Sequence, residues 1–314
     1  MGKADGSNFE DAPPDAVGGC VECDCKERIE DLEAEIEELE AADVDRQLAA
    51  ATYGDQPLPE GHRRASDKEL QDLGLVYGDQ SMLELEDQNF HADVFVKENP
   101  GGEDTYTVGF RGTEEWGGSD GITNLRQGLG MDSEYYSQAM EIARTIETMA
   151  PGRVSYTGHS MGGGLASAAA GMKGATARTF NAAGLHEKTI AKTAEGDFSN
   201  TRAYYLHQDP LSRANAEFDR LPEAVGDRVG YERVHEWAPQ ESAILDAQRA
   251  KEYNWLERKV GRPTLDRRIA ETEAEFHRQK RYHGTDELGE AIQNDLKSKR
   301  EELEGLREGP CKNT

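Results

Sequence analysis

A serine between two glycines, Gly158-His159-Ser160-Met161-Gly162, constrains this chain more than any other feature because of what flanks it. Val154-Ser155-Tyr156-Thr157 reads as a short strand, and Leu165-Ala166-Ser167-Ala168-Ala169-Ala170 as a helix of small residues able to pack closely on a sheet. Strand, sharp turn and helix in that order form a nucleophile elbow. The serine sits there on strained backbone with its hydroxyl presented, and the glycines remove side chains that would collide with neighbouring chain. The fold class expected is α/β, a central and mostly parallel sheet flanked by helices.

If Ser160 is a nucleophile, an acid and then a histidine should follow it, the acid on a loop leaving a later strand of the same sheet. Asp209 fits: Ala203-Tyr204-Tyr205-Leu206 is a short apolar run, and Asp209-Pro210 ends it with a pair that favours a turn. Asp197, Asp219 and Asp227 lack such a lead-in. Three histidines lie downstream. His277 falls in a charged helical face; His283 is followed by Gly284 at a break between two charged helices, where a loop could present an imidazole; His235 stands beside Trp237. The reading favours His283 as the base and keeps His235 as the alternative. His159 and His207 suit the role in neither order nor geometry.

Acyl transfer also needs amide donors aimed at the developing oxyanion. The amide of Met161 opens the helix after Ser160, where unpaired donors and the helix dipole favour negative charge. Upstream, the strand-like Tyr106-Thr107-Val108-Gly109-Phe110 runs into Arg111-Gly112-Thr113, a turn whose amide could face the nucleophile.

Taken together, Phe110-Arg111-Gly112-Thr113, Asn124 to Gly128, the elbow from Gly158 to Gly164, Thr179 to Gly184 and Asp209-Pro210 resemble the class 3 lipase family in order and approximate spacing. The resemblance covers roughly Leu70 to Gly226. It implies an α/β-hydrolase fold and hydrolysis of carboxylic esters of lipids or phospholipids without a metal, with Thr113 at the oxyanion position, Ser160 as nucleophile and Asp209 as acid. Gln127 to Gly130, Glu223 to Gly226 and His283 to Asp286 are further similar to bacterial phospholipase-like proteins, some deployed as interbacterial toxins. Those relatives place the catalytic histidine in a His-Gly segment near the end, which implies His283, and an effector role would imply an immunity protein as partner. The competing readings are a small-ester or thioester hydrolase with the same triad, and a non-catalytic interaction protein acting through its acidic helical ends.

The domain plan expected is a disordered acidic tail over 1–24, a short acidic helical segment over 25–60, the hydrolase core over 61–240, and a charged helical insertion and C-terminal region over 241–314 that carries His283. Cys25, Ile29, Leu32, Ile36 and Leu39 recur at spacings of three and four, the seam of a short helical pairing. Leu288, Ile292, Leu296, Leu303 and Leu306 make a similar face between Asp286 and Leu306, so the two could pack together; self-association is left open, with docking of the first helix on the hydrolase body as the alternative. The stretch from Glu241 to Lys280 reads as helices with a narrow buried stripe. A net charge of −26 argues against nucleic acid or an anionic membrane as a static partner, and leaves contact with a lipid surface transient. No apolar run approaches the roughly 20 residues that span a bilayer, and no secretory signal opens the chain. The expectation is a cytoplasmic location in the producing cell, any export using a signal-independent machine. Cys20, Cys23 and Cys25 form a cluster with Cys311 alone at the far end, so a thiolate metal site or a disulfide tethering the termini can be imagined; the second ligand pair of a zinc site is missing, and free thiols are the default. Gly128-Leu129-Gly130 lacks the third glycine of a dinucleotide loop, so no cofactor is expected.

Overall fold

In the computed structural model, five strands run parallel: β5 (Thr105–Phe110), β6 (Val154–His159), β7 (Thr176–Phe180), β8 (Thr201–Leu206) and β9 (Asp227–Tyr231). On the edge beside β5, β4 (Ala92–Lys97) and β1 (His62–Arg64) add antiparallel, giving the sheet order β1-β4-β5-β6-β7-β8-β9. A separate hairpin pairs β2 (Val76–Tyr77) with β3 (Gln80–Ser81). The helices are α1 (Gly18–Ala51), α2 (Asp67–Asp72), α3 (Glu134–Met149), α4 (Met161–Ala170), α5 (Glu187–Ile190) and α6 (Thr285–Glu308). The residues described are 18–85, 90–113, 134–193, 196–209, 211–212, 222–234, 284–309 and 311, with side chains from 25 onward. This mostly parallel sheet between helices, with an elbow leaving β6, is an α/β-hydrolase fold.

Both faces of the sheet are covered, as parallel strands require. On one face Val94, Val108, Phe110 and Tyr156 meet the helix stripe Ala139, Ile142, Ala143 and Ile146 of α3, together with Leu165, Ala166 and Ala169 of α4. The stripe recurs at three- and four-residue spacing, and the small residues of α4 let that helix lie close to the strands. The other face is covered by the second half of α1. Leu48 and Ala51 pack on Phe95 of β4, the Asp45 carbonyl accepts from Thr157 Oγ1 of β6 at 3.0 Å, and the Asp45 carboxylate pairs with Arg178 of β7 at 3.0 Å.

Two compact units are present, Ala42–Ile292 and the pair Met1–Ala41 with Gln293–Thr314. Within the smaller unit, Cys25, Leu32 and Leu39 of α1 and Leu296 of α6 are buried, as the seam predicts. Arg28 pairs with Glu302 at 2.7 Å and Arg300 with Glu40 at 2.6 Å, and Lys299 and Arg307 bond Glu35 and Glu33. The Lys299 ammonium holds the Glu35 carboxyl below its ordinary range. Being exposed, these pairs contribute mainly to register, each worth on the order of 1 kcal/mol or less.

Three sequence expectations need correction. Helix α1 begins at Gly18, inside the stretch expected to be disordered. It also does not end as an extension: from Ala42 it belongs to the same compact unit as the sheet, because Asp45 and Thr52 are buried polar residues that meet polar partners and so leave no hydrophobic signature. Finally, Cys25 and Cys311 are not free thiols but a disulfide across 286 positions of sequence. The helical stretch expected over Glu241 to Lys280 lies outside the described residues, as do Asn124 to Gly130.

The bridge fixes the stability expected of the terminal helices. A short exposed helical pair is marginal alone, and a crosslink that closes a long loop is worth about 2–5 kcal/mol through the unfolded chain. Adding a thiol reductant, or making Cys311→Ser, should lower the denaturant midpoint of a helical signal from α1 and α6. An unchanged midpoint would show that apolar and ionic packing suffices.

Candidate active site

Ser160 follows β6 directly, at φ 59° and ψ −127°, and serves as the residue before α4. Only one other described non-glycine residue, Asn181, has a positive φ. Such backbone costs on the order of 1–3 kcal/mol and persists where surrounding contacts over-determine it. Here they do: the Ser160 amide donates to the Phe180 carbonyl at 3.1 Å, and the Ser160 carbonyl accepts from Ala183 at 2.9 Å and Gly163 at 3.0 Å. The elbow is thereby stitched to the end of β7. Ser160 is fully buried, and its Oγ has no hydrogen-bond partner among the described residues.

Asp209 lies past the end of β8, on the carboxyl edge that also carries Ser160, and is fully buried. Its amide turns back to the Leu206 carbonyl at 3.0 Å, and its Oδ2 accepts the Ser212 amide at 2.6 Å. A charge-assisted bond of that kind fixes the carboxylate's rotamer. Leu211, two residues on, packs with Met161 and Ala183, so the acid's loop is seated against the start of α4.

Thr113 and Met161 lie side by side, the Thr113 hydroxyl donating to Met161 Sδ at 3.9 Å. The structure thus brings the upstream turn to the first residue of α4, where the helix dipole favours an anion. A Cβ placed on Gly112 would lie 2.6 Å from the His159 carbonyl oxygen and 3.2 Å from Ser160 Cβ, so the turn rests directly on the elbow.

Both histidine candidates, His235 and His283, lie outside the described residues. Gly284, next after His283, is described: its carbonyl accepts from Asn181 Nδ2 at 3.3 Å. Asn181 is fully buried at φ 43°, its Oδ1 accepts from the Leu206 amide at 3.0 Å, and its own amide donates to the Tyr204 carbonyl at 2.9 Å. One side chain therefore links the end of β7, the end of β8 that leads to Asp209, and the residue after His283. Sequence reasoning missed it, although asparagine is one of the few residues that tolerate left-handed backbone.

A second omission is Tyr53, whose hydroxyl accepts from the Gly112 amide at 2.9 Å and lies 3.0 Å from His159 Nδ1. Nothing in its Ala-Thr-Tyr-Gly setting marks it in sequence beyond the helix end that Gly54 suggests. Among the described residues no group of His, Cys, Asp or Glu is placed to hold a metal ion, and no described helix is long and apolar enough to cross a membrane.

Comparison with known proteins gives three findings. A family model described as a Tle-like phospholipase domain, phospholipase-like, matches residues 45–243. The chain is 29% identical over 177 residues to an extracellular phospholipase A1 of Serratia liquefaciens, a match covering 54% of this chain and 52% of that one. The chain thus spans about half the length of that curated relative. The solved Rhizomucor miehei lipase propeptide complex aligns over 60% of this chain and 80% of its own, at 16% identity and a TM-score of 0.34.

Proposed function

We propose that this chain, which belongs to the family of Tle-like phospholipase domains, hydrolyses carboxylic esters of phospholipids through a Ser160–His283–Asp209 triad and an acyl-enzyme. The observation that carries the reading is Ser160 on strained backbone at the start of α4 with the Gly112–Thr113 turn packed against it. That arrangement supports reading Ser160 as a nucleophile beside amides able to hold an oxyanion.

In the reaction proposed, His283 takes the Ser160 Oγ proton as the oxygen attacks the ester carbonyl carbon. The carbonyl electron pair moves to oxygen, where the amides of Thr113 and Met161 stabilise it. Collapse of the tetrahedral intermediate breaks the ester C–O bond, and the imidazolium returns the proton to the departing lysophospholipid oxygen. Asp209 orients the imidazole and stabilises its charged form. Water, deprotonated by the same histidine, then attacks the acyl-serine and releases the fatty acid. Support for His283 over His235 comes from Asn181, which ties Gly284 to the end of β7 and to the end of β8, the strand that leads to Asp209.

Mixed phospholipid vesicles test both parts, with released fatty acid and lysolipid identified by mass spectrometry for the wild type, His283→Ala and His235→Ala. The wild type should yield both products. His283→Ala should be slower by roughly 10⁴-fold or more, and His235→Ala by less than about tenfold. Hydrolysis confined to short-chain esters or thioesters would move the substrate class; binding without turnover would favour an interaction protein; a reversed ranking would make His235 the base.

A further inference from the structure

We propose that Tyr53 is a positioning residue of this reaction: its hydroxyl locks the oxyanion turn to the nucleophile elbow and, by occupying the Gly112 amide, assigns the donor role in that turn to the Thr113 amide. The inference rests on the serine-hydrolase reading above and adds a residue to it.

The phenol has one proton and two lone pairs. The Gly112 amide donates to Tyr53 Oη at 2.9 Å, and the same oxygen lies 3.0 Å from His159 Nδ1, the donor in that second bond being set by the histidine tautomer. The two rings meet edge-on, centroids 5.8 Å apart at 61°. His159 is the residue before Ser160, and Gly112 the residue before Thr113. A single hydroxyl therefore fixes the peptide that precedes the oxyanion amide relative to the residue that precedes the nucleophile. The Gly112 N–H, satisfied by the phenol, is not available to a substrate oxygen.

Tyr53 is itself held. Its amide donates to the Ala50 carbonyl at 3.1 Å, closing the last turn of α1. Arg64 Nη2 donates to the Ala51 carbonyl at 2.7 Å and the Gly54 carbonyl at 3.2 Å, a cation on the terminal carbonyls of a helix. The helix end reaches the sheet because Gly109 has no side chain: a Cβ there would lie 2.8 Å from Thr52 Cγ2 and 2.9 Å from Phe95 Cε2. The approach at Gly109 brings the phenol within reach of Gly112, three residues further along the same strand exit. A phenylalanine would keep the edge contact with His159, so the hydroxyl does something packing alone does not require.

The test compares Tyr53→Phe with the wild type as full-length oxidised protein. Preorganised donors lose value steeply with small displacements, so kcat should fall about 10–100-fold. KM should stay within about twofold, since the turn acts on the transition state rather than on ground-state binding. Labelling of Ser160 by a fluorophosphonate, whose phosphoryl oxygen takes the oxyanion position, should slow in parallel, while the circular dichroism spectrum is retained. His159→Gln should slow labelling too, and the double variant should lose no more than the larger single loss, because the two residues act as one unit. Unchanged kcat and labelling in Tyr53→Phe, a rise in KM alone, or additive losses in the double variant would overturn the proposal. Should Tyr53→Phe fail to fold, His159→Gln carries the same test alone, and an unchanged labelling rate in it overturns the proposal. A wild type that does not label at Ser160 sinks the parent reading and this one with it; a normal wild type matched by Tyr53→Phe sinks this one alone.

Discussion

Ser160→Ala is expected to abolish ester hydrolysis, with a loss of roughly 10⁴- to 10⁶-fold in kcat, and to leave the fold at least as stable as before. The two halves of that expectation have separate origins. Activity falls because the acyl-enzyme requires an oxygen at this position and the flanking residues, His159 and Met161, supply none. Stability holds because the Ser160 Oγ is buried without a partner among the described residues, so removing it deletes a desolvated hydroxyl and breaks no bond to any of them. Alanine inherits the strained φ of 59° with nearly the same backbone preferences, and the three main-chain bonds of the elbow remain. Fatty-acid release and a thermal melt on the same preparation check both halves. Residual activity above about 1% would place the nucleophile elsewhere, and a lower melting point would mean the hydroxyl has a structural partner.

Gly162→Ala should behave oppositely, losing the folded protein rather than the chemistry alone. In an ordinary helix interior this substitution stabilises by up to about 1 kcal/mol, because glycine gives up more backbone entropy. At Gly162 the sign reverses. A Cβ there would lie 2.8 Å from the Phe110 carbonyl carbon and nearer still to its oxygen, and 2.9 Å from the Arg111 carbonyl carbon. These are backbone atoms at the exit of β5, unable to step aside as a side-chain tip can. Helix α4 would have to lift off the sheet, uncovering Leu165 and Ala166, for a cost of at least about 3 kcal/mol and partition into the insoluble fraction on expression. A soluble variant with native-like stability would mean the elbow is looser than its packing implies.

The elbow was readable in sequence because its chemistry and its sterics use the same letters: glycines where backbones touch, small residues where α4 meets strands. The strand-then-turn patterning marked Asp209 and the turn ending at Thr113, and the structure sets Thr113 and Leu211, two residues past Asp209, against Met161. The role of α1 was not. Its acidic surface and sparse apolar seam left docking on the hydrolase body as one alternative beside self-association and named no residue for it, whereas Asp45 answers Arg178 and Thr157 across one face of the sheet. A polar residue that finds its partner more than a hundred positions away leaves no local periodicity to detect. Tyr53 and Asn181 were missed for the same reason, since each acts by hydrogen bonds to segments distant in sequence. The Cys25–Cys311 bridge was legible only as an alternative to free thiols, because spacing shows which cysteines are present but not which ends of the chain meet.

That bridge also changes what kind of polymer this is. With Cys25 joined to Cys311, the intervening 285 residues form a closed ring. A single cut anywhere in the ring, including a surface loop, opens the circle without releasing a fragment; two cuts or a reductant are needed to separate pieces. A narrow conduit that admits one extended strand must likewise receive the chain before the sulfurs join or after they part, since the ring can enter only as a doubled strand.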